Sequence, residues 1–181
     1  MTIAETYASL ARMLDYPVGK EGLLADYGRV GVFLGENRLD CSFGAFADFV
    51  DASPLATLQE EYVGTFDFNP TTAPYLGHHL FGDNQKKGGY MIGLKQEYGR
   101  YGFTPTGNEL PDHLSVVLGF LAHMAREESD GARRTFIAES VLPGMERLSA
   151  VFADRQDVPW KPVIEAARLL CAADCKEADP C

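Results

Sequence analysis

NELPDHLSVVLGFL, residues 108–121, is the stretch that decides the fold, because it joins a polar beginning to a helix with one apolar face. Pro111 suits the first position of a helix, where no N–H is needed, and acidic side chains favour the positive end of the helix dipole. We therefore predict a helix that begins near Pro111. Its apolar residues recur at intervals of three and four, as in a helix that is buried along one side: Leu114, Val117, Leu118, Leu121 and Met124.

Three ionisable residues, Glu109, Asp112 and His113, gather where this helix begins. Ionisable groups at the mouth of an apolar core are common in binding sites. The alternative is that Asp112 only caps the helix and that His113 is a solvated neighbour. Adjacent helical positions do not face each other, so Asp112 and His113 are not predicted to form an acid–base pair.

The rest of the chain repeats the helical period. No segment alternates apolar and polar residues over the length of a strand, and no Asn-Gly or Asp-Gly turn joins two β-branched runs. The sequence therefore predicts an all-α fold, a single-domain antiparallel helical bundle over residues 1–181 with a frayed tail at about 175–181. The other predicted helices are 3–15, 20–35, 43–51, one from Ser53-Pro54 to near Asn69-Pro70, 85–101, 131–154 with a kink at Pro143, and one after Pro159-Trp160.

Charge and hydropathy narrow the class of protein. The chain has 26 acidic and 16 basic residues and a net charge of −10, which disfavours nucleic acid and anionic membranes as primary partners. No apolar run approaches the roughly 18–20 residues that span a bilayer. The beginning, MTIAETYASLARML, lacks the basic region of a secretory signal. We expect a cytoplasmic protein.

The four cysteines, Cys41, Cys171, Cys175 and Cys181, do not form a Cys-x-x-Cys pair. In a reducing compartment we expect free thiols and no disulfide framework. The alternative is a metal clip that combines the last three cysteines with a histidine.

Motifs of catalysis and cofactor binding are absent from the sequence. It has no phosphate-binding loop, no Gly-x-Gly-x-x-Gly, no His-Glu-x-x-His and no Gly-x-Ser-x-Gly. His78 and His79 are adjacent, so on a helix they point about 100° apart and are poorly placed to chelate one metal ion. No cofactor or metal is predicted, and the chain is not predicted to be an enzyme.

An aromatic segment upstream is the remaining candidate for function. Gly77 and Gly82 would let the backbone of a partner approach closely, and acidic rims beside aromatic floors suit basic peptides. The same aromatic residues can equally be core, and both interpretations are open at this point. The apolar side chains concerned are Tyr62, Phe66, Tyr75, Leu76 and Phe81.

Three runs of the sequence together resemble the NarJ branch of the NarJ/TorD/DmsD chaperones. The runs are EEYVGTFDFNPTTAPYLGHHLFGD (60–83), KKGGYMIGLKQEYGRYGF (86–103) and NELPDHLSVVLGFLA (108–122). The resemblance implies a TorD-like helical bundle that serves the maturation of molybdenum-cofactor oxidoreductases without catalysis or a cofactor of its own.

The resemblance also implies a partner and a site. The partner is the cofactor-free catalytic subunit of a molybdenum oxidoreductase, bound at its basic and apolar N-terminal segment, with nitrate reductase as the favoured client. One departure is that Gln85, Lys86 and Lys87 follow the Gly-Asp pair, where the family usually has arginines. The implied client-binding residues are Tyr62, Phe66, Tyr75, Leu76, Phe81, Gly82, Glu109, Pro111, Asp112 and His113.

Two other functions are kept as alternatives. One is a small, hydrolase-like helical enzyme that uses Glu109, Asp112 and His113. The other is a permanent structural subunit of an oxidoreductase. Homo-oligomers are compatible with each of these functions.

Overall fold

The structure, a computed structural model, describes residues 1–39, 43–155 and 157–176. Over these ranges the chain is helical and has no β-strand, so the predicted all-α bundle is confirmed. None of the described helices is long and apolar enough to cross a membrane. The helices are α1 (Ile3–Met13), α2 (Lys20–Glu36), α3 (Gly44–Ala52), α4 (Leu55–Tyr62), α5 (Leu76–Phe81), α6 (Lys86–Arg100), α7 (Leu114–Arg126), α8 (Asp130–Phe136), α9 (Leu142–Val151) and α10 (Lys161–Lys176).

Helix α1 lies at the centre of the bundle, with α7, α2 and α10 packed against it. The sequence pattern gives α1 one apolar face, but the side chains of Thr6 and Ser9 are buried as well. Each of these hydroxyls has a partner, because Thr6 donates to the Thr2 carbonyl at 2.9 Å and Ser9 accepts from the Arg12 guanidinium at 3.1 Å. Because these local hydrogen bonds satisfy both hydroxyls, the two polar side chains can be buried in the core.

Trp160 is the largest fully buried side chain and precedes α10. Its indole N–H donates to the Met13 carbonyl at 2.9 Å, which ties the beginning of α10 to the end of α1. Aromatic rings from α3, α4 and the turn after α4 meet the indole edge-on, an arrangement that aromatic pairs prefer. These rings belong to Phe46, Phe49, Tyr62 and Phe66.

A buried ion pair joins α8 to α10. The Arg133 guanidinium, which is 2% exposed, binds both carboxylate oxygens of Asp174 at 2.8 and 2.9 Å. The Tyr7 hydroxyl on α1 donates to the same carboxylate at 3.0 Å. Three helices therefore meet at one charged group that is closed off from water.

Two helical runs contain a π-helical turn. Val63–Asp67 continues α4, and Ile137–Val141 joins α8 to α9. Pro143 follows the second turn and has no N–H to donate to the carbonyl four residues earlier, so the bonding pattern changes there. The interruption that the sequence predicts at Pro143 is this π-helical turn.

One predicted boundary needs correction. Helix α7 begins at Leu114 and not near Pro111, because the residues before it pair with another segment, as described below. At the other end of the chain, α10 continues to Lys176, and the fraying predicted at about 175–181 stays a prediction. The predictions for Cys41, Cys181 and residues 177–181 lie outside the described residues.

Candidate functional site

The segment before α5 and the segment before α7 lie side by side. Tyr75 and His113 form an antiparallel β-bridge. Next to it, Leu76 N–H donates to the Asp112 carbonyl at 3.0 Å, and Leu114 N–H donates to the Pro74 carbonyl at 2.8 Å. Pro111 and Asp112 lie in a turn that the His113 N–H closes on the Leu110 carbonyl at 3.0 Å. The pairing holds His113 in an extended form and brings the two motifs of the sequence together.

Asp112 supports α5 from inside the protein. Its side chain is fully buried, and its Oδ2 atom accepts from Gly77 N–H at 3.0 Å in the first turn of α5. Within the described part of the chain, Oδ1 is buried without a hydrogen-bond partner. Burial raises the pKa of Asp112, and the Gly77 N–H opposes that shift. Asp112 therefore caps α5 rather than α7, which is the helix that the sequence pattern assigned to it.

His113 is the N-cap of α7 and is only 3% exposed. Its Nδ1 atom lies 2.7 Å from the Ser115 hydroxyl and accepts from Ser115 N–H at 3.3 Å. The Tyr75 ring packs edge-on at 5.0 Å. Burial lowers the pKa of His113 and outweighs the nearby carboxylates, of which Glu109 has the largest opposing effect. The interpretation of His113 as a solvated neighbour is wrong.

Three exposed carboxylates surround the buried His113. Asp15, Asp67 and Glu109 all act on the imidazole by their charge. Glu109 also accepts a hydrogen bond from the Tyr75 hydroxyl at 2.7 Å, which fixes it in place. We call Asp15, Asp67 and Glu109 the acidic rim. It comes from the end of α1, the π-helical turn after α4 and the loop before α7.

Each carboxylate of the acidic rim is followed in the chain by an exposed apolar residue. Tyr16 is 48% exposed, Phe68 83% and Leu110 49%. Exposed apolar side chains beside charges of one sign are typical of interaction surfaces. Sequence reasoning did not name Asp15, Tyr16, Phe68 or Leu110 as site residues. The repeated acidic–apolar pair is visible in the sequence, but only the fold brings its three copies together.

Three of the predicted site residues are core residues. Tyr62 and Phe66 are buried, and the Tyr62 hydroxyl donates to the Leu14 carbonyl at 2.9 Å. Leu76 is fully buried against Gly144 of α9. The interpretation of these three side chains as the floor of an exposed groove is therefore wrong, and the core interpretation holds.

The remaining predicted residues shape the ends of α5 and the loop before α7. The Phe81 ring lies 5.6 Å from that of Tyr90, and Gly82 ends α5 with a φ of 57°, which favours glycine. Pro111 is buried, and its carbonyl accepts from the Tyr98 hydroxyl at 2.6 Å. That any of the predicted site residues binds a client stays a prediction.

Comparison with known proteins identifies the family. The family described as "Nitrate reductase delta subunit" matches residues 36–165, most of the chain. The chain belongs to this family. It is 30% identical, over 146 residues, to the "Probable nitrate reductase molybdenum cofactor assembly chaperone NarJ" of Bacillus subtilis (strain 168), and the match covers 80% of this chain and 77% of that protein.

Two other relatives match over shorter stretches. The "Nitrate reductase molybdenum cofactor assembly chaperone NarJ" of Escherichia coli (strain K12) is 32% identical over 82 residues, 45% of this chain and 34% of that protein. The "Nitrate reductase-like protein NarX" of Mycobacterium tuberculosis (strain ATCC 25618 / H37Rv) is 38% identical over 71 residues, 39% of this chain and 11% of that protein.

Within the described residues, no group of three or more His, Cys, Asp or Glu side chains is placed to hold a metal ion. His79 lies with Nε2 at 2.8 Å from the Ala73 carbonyl, so one ring nitrogen is already used. Cys171 is fully buried, and burial raises the pKa of its thiol.

Gly77 lies where α5 packs most closely on the Asp112 carboxylate, and the packing leaves no room for a side chain there. A methyl group there would lie 2.8 Å from Asp112 Oδ2 and 3.1 Å from a ring carbon of Tyr90. We expect Gly77→Ala to lower the free energy of unfolding by about 1–3 kcal/mol, because a packed site must shift. Urea denaturation followed by circular dichroism measures the change.

Gly93 on α6 provides the matched control, since no atom lies within 4 Å of the position that its methyl group would take. There we expect Gly93→Ala to raise the free energy of unfolding by about 0.5–1 kcal/mol through helix propensity. If both substitutions had the same effect, the close packing of Gly77 on Asp112 would carry no energetic weight.

The lowered pKa of His113 predicts a dependence of stability on pH. In the unfolded chain the imidazole binds a proton near pH 6.5, whereas burial lowers its pKa in the folded protein. The unfolded state thus gains protons first, and stability falls as the pH drops below about 6.5. We expect His113→Asn to flatten this slope, because asparagine is also a good N-cap and does not titrate. Urea denaturation at several pH values between 7.5 and 5 tests this, and an unchanged slope in the variant would contradict it.

Proposed function

We propose that this protein is a dedicated cytoplasmic chaperone that binds the cofactor-free catalytic subunit of a molybdenum oxidoreductase and keeps it competent for cofactor insertion. Nitrate reductase is the favoured client. Membership of the delta subunit family and the name of the Bacillus subtilis relative support this function.

The acidic rim with its exposed apolar neighbours is the observation that carries the proposal. Three exposed carboxylates lie near enough to one buried imidazole to act on it by their charge, and Tyr16, Phe68 and Leu110 follow them in the chain. A peptide that alternates basic and apolar residues would meet a complementary charge and an apolar contact at each point. The N-terminal segment that the family resemblance implies for the catalytic subunit, basic and apolar, would have this chemistry.

The geometry favours binding over catalysis. A hydrolase that used Glu109, Asp112 and His113 would need to expose them to substrate, but Asp112 and His113 are buried. The carboxylate of Asp112 and the Nδ1 atom of His113 are engaged in supporting α5 and α7. The residues that made an enzyme conceivable are thus used by the fold.

The decisive experiment uses purified components. The nitrate reductase catalytic subunit is produced with and without its molybdenum cofactor and is mixed with this protein, and complexes are measured by size-exclusion chromatography. We expect a complex with the cofactor-free subunit that is lost when the N-terminal segment of that subunit is deleted. The cofactor-loaded subunit is the matched control.

Other outcomes would favour the alternatives. Equal binding to the mature, cofactor-loaded enzyme would support a structural subunit. Failure to bind either form, together with hydrolytic turnover that His113→Ala abolishes, would support an enzyme.

A further inference from the structure

A groove runs from the acidic rim along the seam between α1 and α7. The two helices are antiparallel, so the end of α1 and the beginning of α7 meet at the rim. The groove has a volume of about 260 Å³, and both Asp15 and Glu109 line its rim end. Phe103 forms one wall and packs on Gly119 of α7. Small residues form the floor, which leaves room for the side chains of a docked segment: Ala8, Ala11, Gly119 and Ala122.

The far end of the groove carries the opposite charge. Arg126, in the last turn of α7, lines it and also lines a second depression of about 430 Å³ that continues the groove. The two depressions share Ala8, Arg12 and Arg126, and Arg29 joins them in the second. One continuous surface thus runs from carboxylates to guanidinium groups.

Carboxylates close to this end offset part of its positive charge. Arg12 and Arg29 both bind one carboxylate, that of Asp26, at 2.5 to 2.9 Å. Glu5 lines the second depression too, but it accepts from Thr2 N–H at 2.9 Å in the cap of α1. The carboxylates near these three guanidinium groups are Asp26 and Glu5, together with Asp15, which acts on Arg12 from the acidic rim.

The length of the seam between α1 and α7 sets the distance between the two charged groups of a ligand that contacts both ends of the groove. Helix α7 has 13 residues, so Arg126 in its last turn lies about 16–20 Å from its beginning. A helical segment covers that distance in about three turns.

We propose that this groove binds a bipolar client segment, with its basic residues at the acidic rim and a carboxylate about three helical turns further on at Arg126. This proposal rests on the proposed function. It adds a direction of binding and a preference for client segments that carry acidic residues after their basic residues. Charge complementarity at both ends fixes the register, since the reversed segment would place like charges together.

The test uses the full chain and synthetic peptides of about five helical turns. One peptide carries arginines and leucines in its first two turns and glutamates three turns later; the second has glutamines in place of the glutamates, and the third has lysines. Fluorescence anisotropy at low salt gives the affinities. We expect the glutamate peptide to bind about fivefold tighter than the glutamine peptide.

Variants locate the effect. Arg126→Glu should abolish the preference for glutamate and should favour the lysine peptide instead. Lys95→Glu on α6 makes the same change in net charge at an exposed position that does not line the groove, and should leave the preference intact.

The outcomes separate the two proposals. Equal binding of the glutamate and glutamine peptides by the unaltered protein, or a preference that survives Arg126→Glu, would overturn the bipolar groove alone. If none of the peptides bound, the acidic rim would fail as a site for basic segments, and the bipolar groove would fail with it.

Discussion

Replacing Asp174 with alanine is expected to lower the free energy of unfolding by about 3–5 kcal/mol, because the buried Arg133 guanidinium loses its buried partner and keeps only its contact with the exposed Asp130 among the described residues. The Arg133 guanidinium would keep its place in the core and lose both of its bonds to the Asp174 carboxylate. The Tyr7 hydroxyl would lose its acceptor at the same time. Urea denaturation at pH 7 measures the loss.

An exposed ion pair is the control for this prediction. Glu97 and Arg100 on α6 are 3.4 Å apart with both side chains accessible to solvent, so Glu97→Ala should cost less than about 1 kcal/mol. The double change R133M/D174L removes both buried charges and should recover much of the stability lost in D174A. A similar cost for D174A and E97A would show that the buried pair does not tie α8 to α10.

Neutralising the acidic rim is expected to weaken binding of a basic, apolar peptide about thirtyfold at low salt. The triple variant D15N/D67N/E109Q removes three exposed charges, each worth roughly 0.5–1 kcal/mol, or about 2 kcal/mol together. The buried residues Asp112 and His113 are untouched, so the fold should be kept. Titration by fluorescence anisotropy measures the affinity, and added salt should shrink the difference.

A second triple variant controls for net charge. E36Q/D48N/D51N makes the same change in charge at exposed positions on α2 and α3, away from the rim. It should alter peptide affinity by much less than the rim variant does. Equal losses in the two variants would mean that the peptide responds to the charge of the whole protein, and the rim would no longer be the site.

Because Asp112 and His113 are buried, substituting either of them affects the stability of the fold as well as any binding of a client. The sequence marks both as site residues, yet one caps α5 and the other caps α7. Reduced binding in a variant of either residue would therefore combine any lost contact with a disturbance of the two helices. The exposed rim residues test binding without that ambiguity.

The sequence by itself determined the helices other than α5 and most of their boundaries. Apolar spacing in a segment such as 114–126 depends only on the 3.6-residue period, and the absence of strand patterns excluded a sheet. The resemblance over residues 60–122 identified the family, which the matched profile over residues 36–165 confirmed.

Only the tertiary structure decided which of the marked residues face solvent. Tyr62 and Phe66 have the same periodic spacing whether they line a groove or pack on Trp160, and the position of the neighbouring helices makes the difference. The start of α7 at Leu114 depends likewise on hydrogen bonds to a segment about 40 residues earlier in the chain.

The acidic rim is the clearest case of a feature that local sequence does not specify. Asp15, Asp67 and Glu109 lie in three distant parts of the chain, and each acidic–apolar pair is ordinary when taken alone. Periodicity fixes which side of a helix is apolar, but long-range packing fixes which helix ends meet. The candidate site is a product of that packing.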